Sequence, residues 1–274
     1  MKKMKFAINY SRPAAELFDT GKIQFDLFKC PEWPELLDEV GKRYPMYFHF
    51  CLLAGRGNVK KTDMKFIVDM MNKTGTRNIN IHLGPDIKDF EGMVDHTQND
   101  EQTATISDAM LDDIAYIVER FGSNRVVLEN CPWSTRPKYR IPAAVLRADV
   151  IANTVRQSRC GLLLDIAHAL LASKWLGQNV YEYLQSLPWE VLKEIHVSGT
   201  REISNGLWTD HFSMRDEDWQ VTQWVFDRIH LGDWPRPEMV SFEYGGIGAR
   251  FEARTDATMI AEQTPRLYDM VQSC

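Results

Sequence analysis

The chain has 274 residues, of which 44% are hydrophobic and 26% charged, with a formal net charge of −6. That length buries a sizeable core without disulfide staples, and the ordinary composition excludes a disordered chain. The acidic balance weighs against a nucleic-acid partner, whose phosphates require a basic surface, and no run approaches the roughly 20 apolar residues of a membrane span.

Strand one is expected at residues 5–10, with a short helix through 14–21. Strand two follows at 24–30 with a helix at 34–44, and strand three at 45–53 with a helix at 63–73. Strand four is expected at 78–83, then a long polar loop, 85–105, and a helix at 107–121 with Ser107 as its N-cap. Strand five falls at 125–130, and Pro142 opens a helix at 142–157. Strand six (161–165) precedes a helix at 180–187, strand seven (194–198) one at 217–230, and strand eight (238–244) one at 257–271.

The strands are apolar rather than alternating, as in a parallel sheet covered on both faces. Eight strand–helix units within residues 1–274 predict a single α/β domain, a (β/α)8 TIM barrel. An open doubly wound sheet would carry a glycine-rich turn after strand one, and Asn9-Tyr10-Ser11-Arg12-Pro13 is no such turn. Five cysteines, Cys30, Cys51, Cys131, Cys160 and Cys274, are odd in number and form no CxxC pair, which points to free thiols in a reducing cytoplasm. The basic start of the chain turns polar before a signal-peptide apolar stretch develops, so a cytoplasmic location is expected.

Active sites of such barrels form at the C-terminal ends of the strands. His49, His82, Glu129, Asp165, His196 and Glu243 end strands three through eight, one per strand. His168 reaches the same rim if strand six stops near Asp165, and Asp210 and His211 stand in a loop after strand seven. Any one of these is by itself an ordinary rim histidine or ion-pair carboxylate. Ligand-type residues at six consecutive strand ends instead predict a metal site. Mixed imidazole and carboxylate donors suit iron, zinc or manganese, whereas calcium and magnesium prefer oxygen. Nine donors exceed the needs of one ion and imply two or three, about 3.5–4 Å apart, with Glu129 and Glu243 the natural bridges.

At these residues the chain resembles the xylose-isomerase-like barrel superfamily and, more closely, the multinuclear non-heme iron-dependent oxidases, the family of the methanobactin biosynthesis enzyme. The segments that carry the likeness are Leu128-Glu129-Asn130, Cys160-Gly161-Leu-Leu-Leu-Asp165-Ile-Ala-His168, Glu194-Ile-His196-Val-Ser-Gly199 and Phe242-Glu243-Tyr244-Gly245-Gly246. The likeness covers most of the barrel and is strongest from residue 125 onward. It implies two or three iron ions in a mixed-valent cluster that activates O2, oxidation of a cysteine in a ribosomally made peptide, and a separate partner protein delivering that peptide. Two departures stand out. Asp210 and His211 are adjacent where the family has Asp-x-His, and His168 stands where many members have asparagine.

A single-metal sugar isomerase or epimerase would need only Glu129, Asp165, His196 and Glu243, and a zinc phosphoesterase of the endonuclease IV type would suit the same donors. A non-enzymatic metal-binding interaction module is the remaining alternative. Two glycine-bearing segments, 55–61 and 245–250, could each hold an anionic group or only turn the chain. Trp133, Trp175 and Trp208, with the polar loop bearing Asp95 and His96, are candidates for the mouth.

Overall fold

The structure, a computed structural model, describes residues 3–94, 96, 99–133, 135–136, 139–204 and 206–274; Asp95 falls outside them. The strands are Lys5–Asn9, Leu27–Pro31, Met46–His49, Leu52–Leu53, Ile79–His82, Val126–Glu129, Gly161–Asp165, Leu192–Val197 and Met239–Phe242. All pair in parallel in one nine-stranded sheet. Met46–His49 and Leu52–Leu53 are the two ends of that sheet, yet they are halves of one extended segment, so the sheet closes on itself as an eight-position barrel. Asn80 seals the break. Its side-chain oxygen accepts the Phe50 N–H at 2.7 Å and its amide donates to the Phe50 carbonyl at 2.7 Å, replacing ladder bonds that the interrupted strand does not make.

The period of two along each strand divides the barrel into two chemistries. Phe6 and Ile8, Phe28 and Cys30, Ile79 and Ile81, and Val240 and Phe242 belong to the main core between sheet and helices. The alternate residues point inward. Ala7, Leu27 and Tyr47 form a small separate apolar cluster at the base, and one step further along the same strands come Asn9, Lys29 and His49.

Several elements differ from expectation. The fourth-strand crossover helix starts earlier, at Asp100–Phe121, because Asn99 caps it by accepting the Gln102 N–H at 2.8 Å; Ser107 lies inside it, bonded to the Thr103 carbonyl. The helix expected at 142–157 is a 3-10 turn, Ala143–Leu146, followed by Ala148–Ser158. Strand six runs directly into an unforeseen helix, Ile166–Leu176, capped by Asp165 itself. After strand seven the chain forms an antiparallel hairpin, Gly199–Ser204 with Leu207–Phe212, where a loop was expected. Among the described residues no helix is long and apolar enough to cross a membrane.

Candidate metal centre

Glu129 stands at the middle of the barrel mouth with its two oxygens facing different ways. Oε2 lies 3.4 Å from His49 Nε2 and 3.2 Å from His82 Nε2, while Oε1 lies 3.6 Å from both His168 Nδ1 and His196 Nδ1. Strand register explains the first side, since His82 is paired directly with Glu129 across the ladder. Three sets of donors come close enough to share an ion: His49, His82 and Glu129; Glu129, Asp165 and His168; and His49, His196 and Glu243.

Asp210 and His211 join them from the hairpin. His211 has φ 60°, a left-handed conformation that breaks the strand alternation and lets neighbouring side chains face the same way. Asp210 Oδ2 is 2.8 Å from His168 Nε2, and His211 Nε2 is 3.7 Å from Asp210 Oδ2. The structure thus brings all nine expected residues to one mouth, both members of the adjacent pair included. His168 arrives on the first turn of the helix after strand six rather than on a loose turn.

The imidazoles are held in one orientation by groups behind them. His82 Nδ1 donates to the Leu52 carbonyl at 3.2 Å, His168 Nδ1 to the Asn130 carbonyl at 2.7 Å, and His211 Nδ1 to the Glu243 carbonyl at 2.9 Å. A carbonyl oxygen only accepts, so each Nδ1 carries a proton and each Nε2 is the nitrogen turned toward the carboxylates. His196 is oriented the other way round: Nε2 meets the Glu194 carboxylate at 2.8 Å, which leaves Nδ1 facing Glu129 and Glu243. Backing of this kind is what metal-binding histidines receive. Glu129 Oε2, Asp165 Oδ2 and His196 Nδ1 are buried without a hydrogen bond. Such orphaned atoms are costly unless something else fills their valence, and a cation at each set would do so.

The electrostatics reflect carboxylates crowded out of water. Burial opposes ionisation of Glu129, yet His82, His196 and His49 hold it well below the usual carboxylate range. Burial pushes Asp165 up, with Glu129 and Asp210 adding to it. His168 is pushed up to about 10: burial works against its charge, but Asp165, Asp210 and Glu129 outweigh it. His211 falls to about 4 through burial, helped by Lys29, His168 and Arg250. Without metal, His168 therefore serves as an internal counter-cation.

Three residues of the centre lack the strand-terminal signal. Lys29 points into the barrel from strand two, is buried, and pairs with Glu243 Oε1. Glu194 lies two residues before His196 on the same face, and also accepts from the Tyr47 hydroxyl at 3.0 Å. Asn80 places its amide 3.0 Å from His49 Nε2. Glu194 and Asn80 each stand two residues before a predicted donor, so reading that spacing, rather than the last residue only, finds them. Lys29 lies on a strand without a predicted donor, and its signal is a lone charge inside an apolar strand.

Above the donors a pocket of about 590 Å³ opens, walled by Trp33, Trp133, Trp208, Leu171, Ile247 and Phe251. Trp175 stacks behind Trp133 at 3.8 Å. The glycine segments prove to be turns that the protein fills itself. The Gly55, Arg56 and Gly57 N–H groups all donate to Asp113 Oδ2, at 2.9, 3.2 and 3.1 Å. The Gly246 N–H donates to Thr255 and the Gly248 N–H to Glu252. Cys30 and Cys131 line the pocket as buried thiols, and Cys51 is exposed beside them.

Residues 28–235 match the model of a family described as the RiPP precursor modification enzyme MbnB/TglH/ChrH, where RiPP denotes a ribosomally synthesised and post-translationally modified peptide. The match spans more than half of the chain. The chain belongs to this family. A UPF0276 protein of Acinetobacter baylyi is 24% identical over 104 residues, 37% of this chain and 35% of that one, so the likeness covers about a third of that relative's length. Among solved structures, the zinc-bound IolI protein superposes with a TM-score of 0.60 at 16% identity, covering 98% of each chain. A xylose isomerase domain-containing protein from Salmonella typhimurium gives 0.58 at 14% identity, with 99% of this chain and 98% of that one covered. These RiPP-family residues therefore sit on a TIM-barrel fold.

Proposed function

We propose that this protein is a multinuclear iron-dependent oxidase that uses O2 to modify a cysteine of a ribosomally synthesised peptide. The observation that carries the reading is the set of imidazoles pinned by the scaffold with their free nitrogens turned on four buried carboxylates, Glu129, Asp165, Asp210 and Glu243. So many donors exceed what one ion takes, and membership of a peptide-modifying family supplies the substrate class. His49, His82, Glu129, Asp165, His168, His196, Asp210, His211 and Glu243 would hold the ions, with Glu129 between sets. Bound iron would supply the electron transfer between a substrate thiolate and O2.

The protein's own part is position and dryness. The pocket walls are largely aromatic and aliphatic, which suits a peptide side chain entering from solvent and keeps bulk water from the reacting thiol. Seating a longer peptide beside this mouth is the task of a separate delivery protein.

The test is metal quantification of anaerobically purified protein, with Mössbauer spectroscopy on the same sample and O2 uptake measured with cysteine peptides. Two or three irons per chain and peptide-dependent O2 consumption are expected. A single zinc, with no O2 consumed on any thiol peptide, defeats the reading.

A further inference from the structure

The donor set at His49, His196 and Glu243 differs from the other two in already having a lysine ammonium against its carboxylate. Lys29 Nζ contacts Glu243 Oε1, the same oxygen that lies 2.9 Å from His196 Nδ1. Both side chains are buried, at 8% and 3% exposure. Strand geometry forces this placement. Lys29 is in ladder register with Asn9 on one side and Tyr47 on the other, and it shares the inward face of strand two with Leu27. The stem is held by that packing and the ammonium ends among the donors. The sets at His49, His82 and Glu129, and at Glu129, Asp165 and His168, are joined through the two oxygens of Glu129.

We infer that the Lys29 ammonium takes the place of one metal ion in this centre, so that the protein holds two ions bridged by Glu129 and not three. The inference rests on the metal-centre reading above and narrows it. Charge balance supports it. Glu129, Asp165, Asp210 and Glu243, with Glu194 behind His196, bring five negative charges into the barrel. Two divalent ions and one ammonium bring five positive charges. A third divalent ion beside Lys29 would leave two uncompensated positive charges in a buried site, a cost of several kcal/mol per ion by general estimates. Arg250, 3.8 Å from Asp210 Oδ1, is 43% exposed and screened by solvent, so it hardly alters that balance.

The experiment compares wild type with Lys29→Met, which keeps the length and apolar stem of the side chain without its charge. Each is purified anaerobically, saturated with ferrous iron, desalted and counted by mass spectrometry, and the loaded wild type is mapped by anomalous diffraction. Two irons per wild-type chain, an intact Lys29–Glu243 contact, and an extra iron in Lys29→Met are expected. Three irons in wild type, or an anomalous peak at His49, His196 and Glu243, overturns the inference, as does a folded Lys29→Met that takes up no more iron than wild type. If Lys29→Met does not fold, the wild-type count and map decide alone. Iron-free protein in every form overturns the metal-centre reading and this inference with it.

Discussion

Glu194 never reaches the open pocket, yet it satisfies two buried groups at once, His196 Nε2 and the Tyr47 hydroxyl. Glu194→Leu is expected to cost about 1–3 kcal/mol, because both partners then lose a buried bond; a lowered denaturant midpoint with an unchanged m-value would check it. Glu129 acts differently. Its two oxygens serve separate donor sets, so Glu129→Ala should remove metal from both and not only from one, as counted by isothermal titration with ferrous iron. Retention of half the wild-type metal would contradict a bridging role. Glu129 was legible in the sequence as the last residue of Val-Val-Leu-Glu. Glu194 and Lys29 were not, because strand-end reading stops before residues one layer deeper, and only the closed barrel shows that this layer also faces the site.

At the scale of elements, the barrel is completed by side chains acting as backbone. Asn80 spans the break in strand three, and Asn80→Ala should strand the Phe50 N–H and carbonyl, costing on the order of 2–4 kcal/mol. Hydrogen exchange at Phe50, faster in the variant than at neighbouring strands, is the direct readout. Asp113 does comparable work from the crossover helix, collecting three loop N–H groups beside the mouth. The hairpin carrying Asp210 and His211 depends on Gly199, where a Cβ would sit 2.0 Å from the Ser213 carbonyl oxygen. Gly199→Ala is therefore expected to displace the hairpin, lowering the melting temperature and weakening metal binding at Asp210 and His211; unchanged values of both would refute that dependence. None of these contacts follows from local periodicity. They join residues 14, 30 and 58 positions apart, and the hairpin was hidden by its polar, half-exposed alternation.

At the scale of the whole molecule, the centre concentrates ionisable groups inside the barrel. Ligands that bind only the folded form stabilise it, by about 2.7 kcal/mol at a hundred times the dissociation constant. Chelation should therefore lower the thermal midpoint, and re-addition of ferrous iron should restore it. A midpoint indifferent to both would argue that the carboxylates are balanced without metal. Sequence alone determined the barrel and the order of its strand-terminal donors, since an apolar strand followed by a polar residue is a local pattern repeated along the chain. It also carried the family resemblance, which resides in short contiguous segments. Only the tertiary structure decided that Asp210 and His211 both reach the mouth, that His168 rides on a helix, and that Lys29 faces Glu243. These are meetings between elements far apart in the chain, fixed by strand register, barrel closure and a single left-handed residue, and no local pattern encodes them.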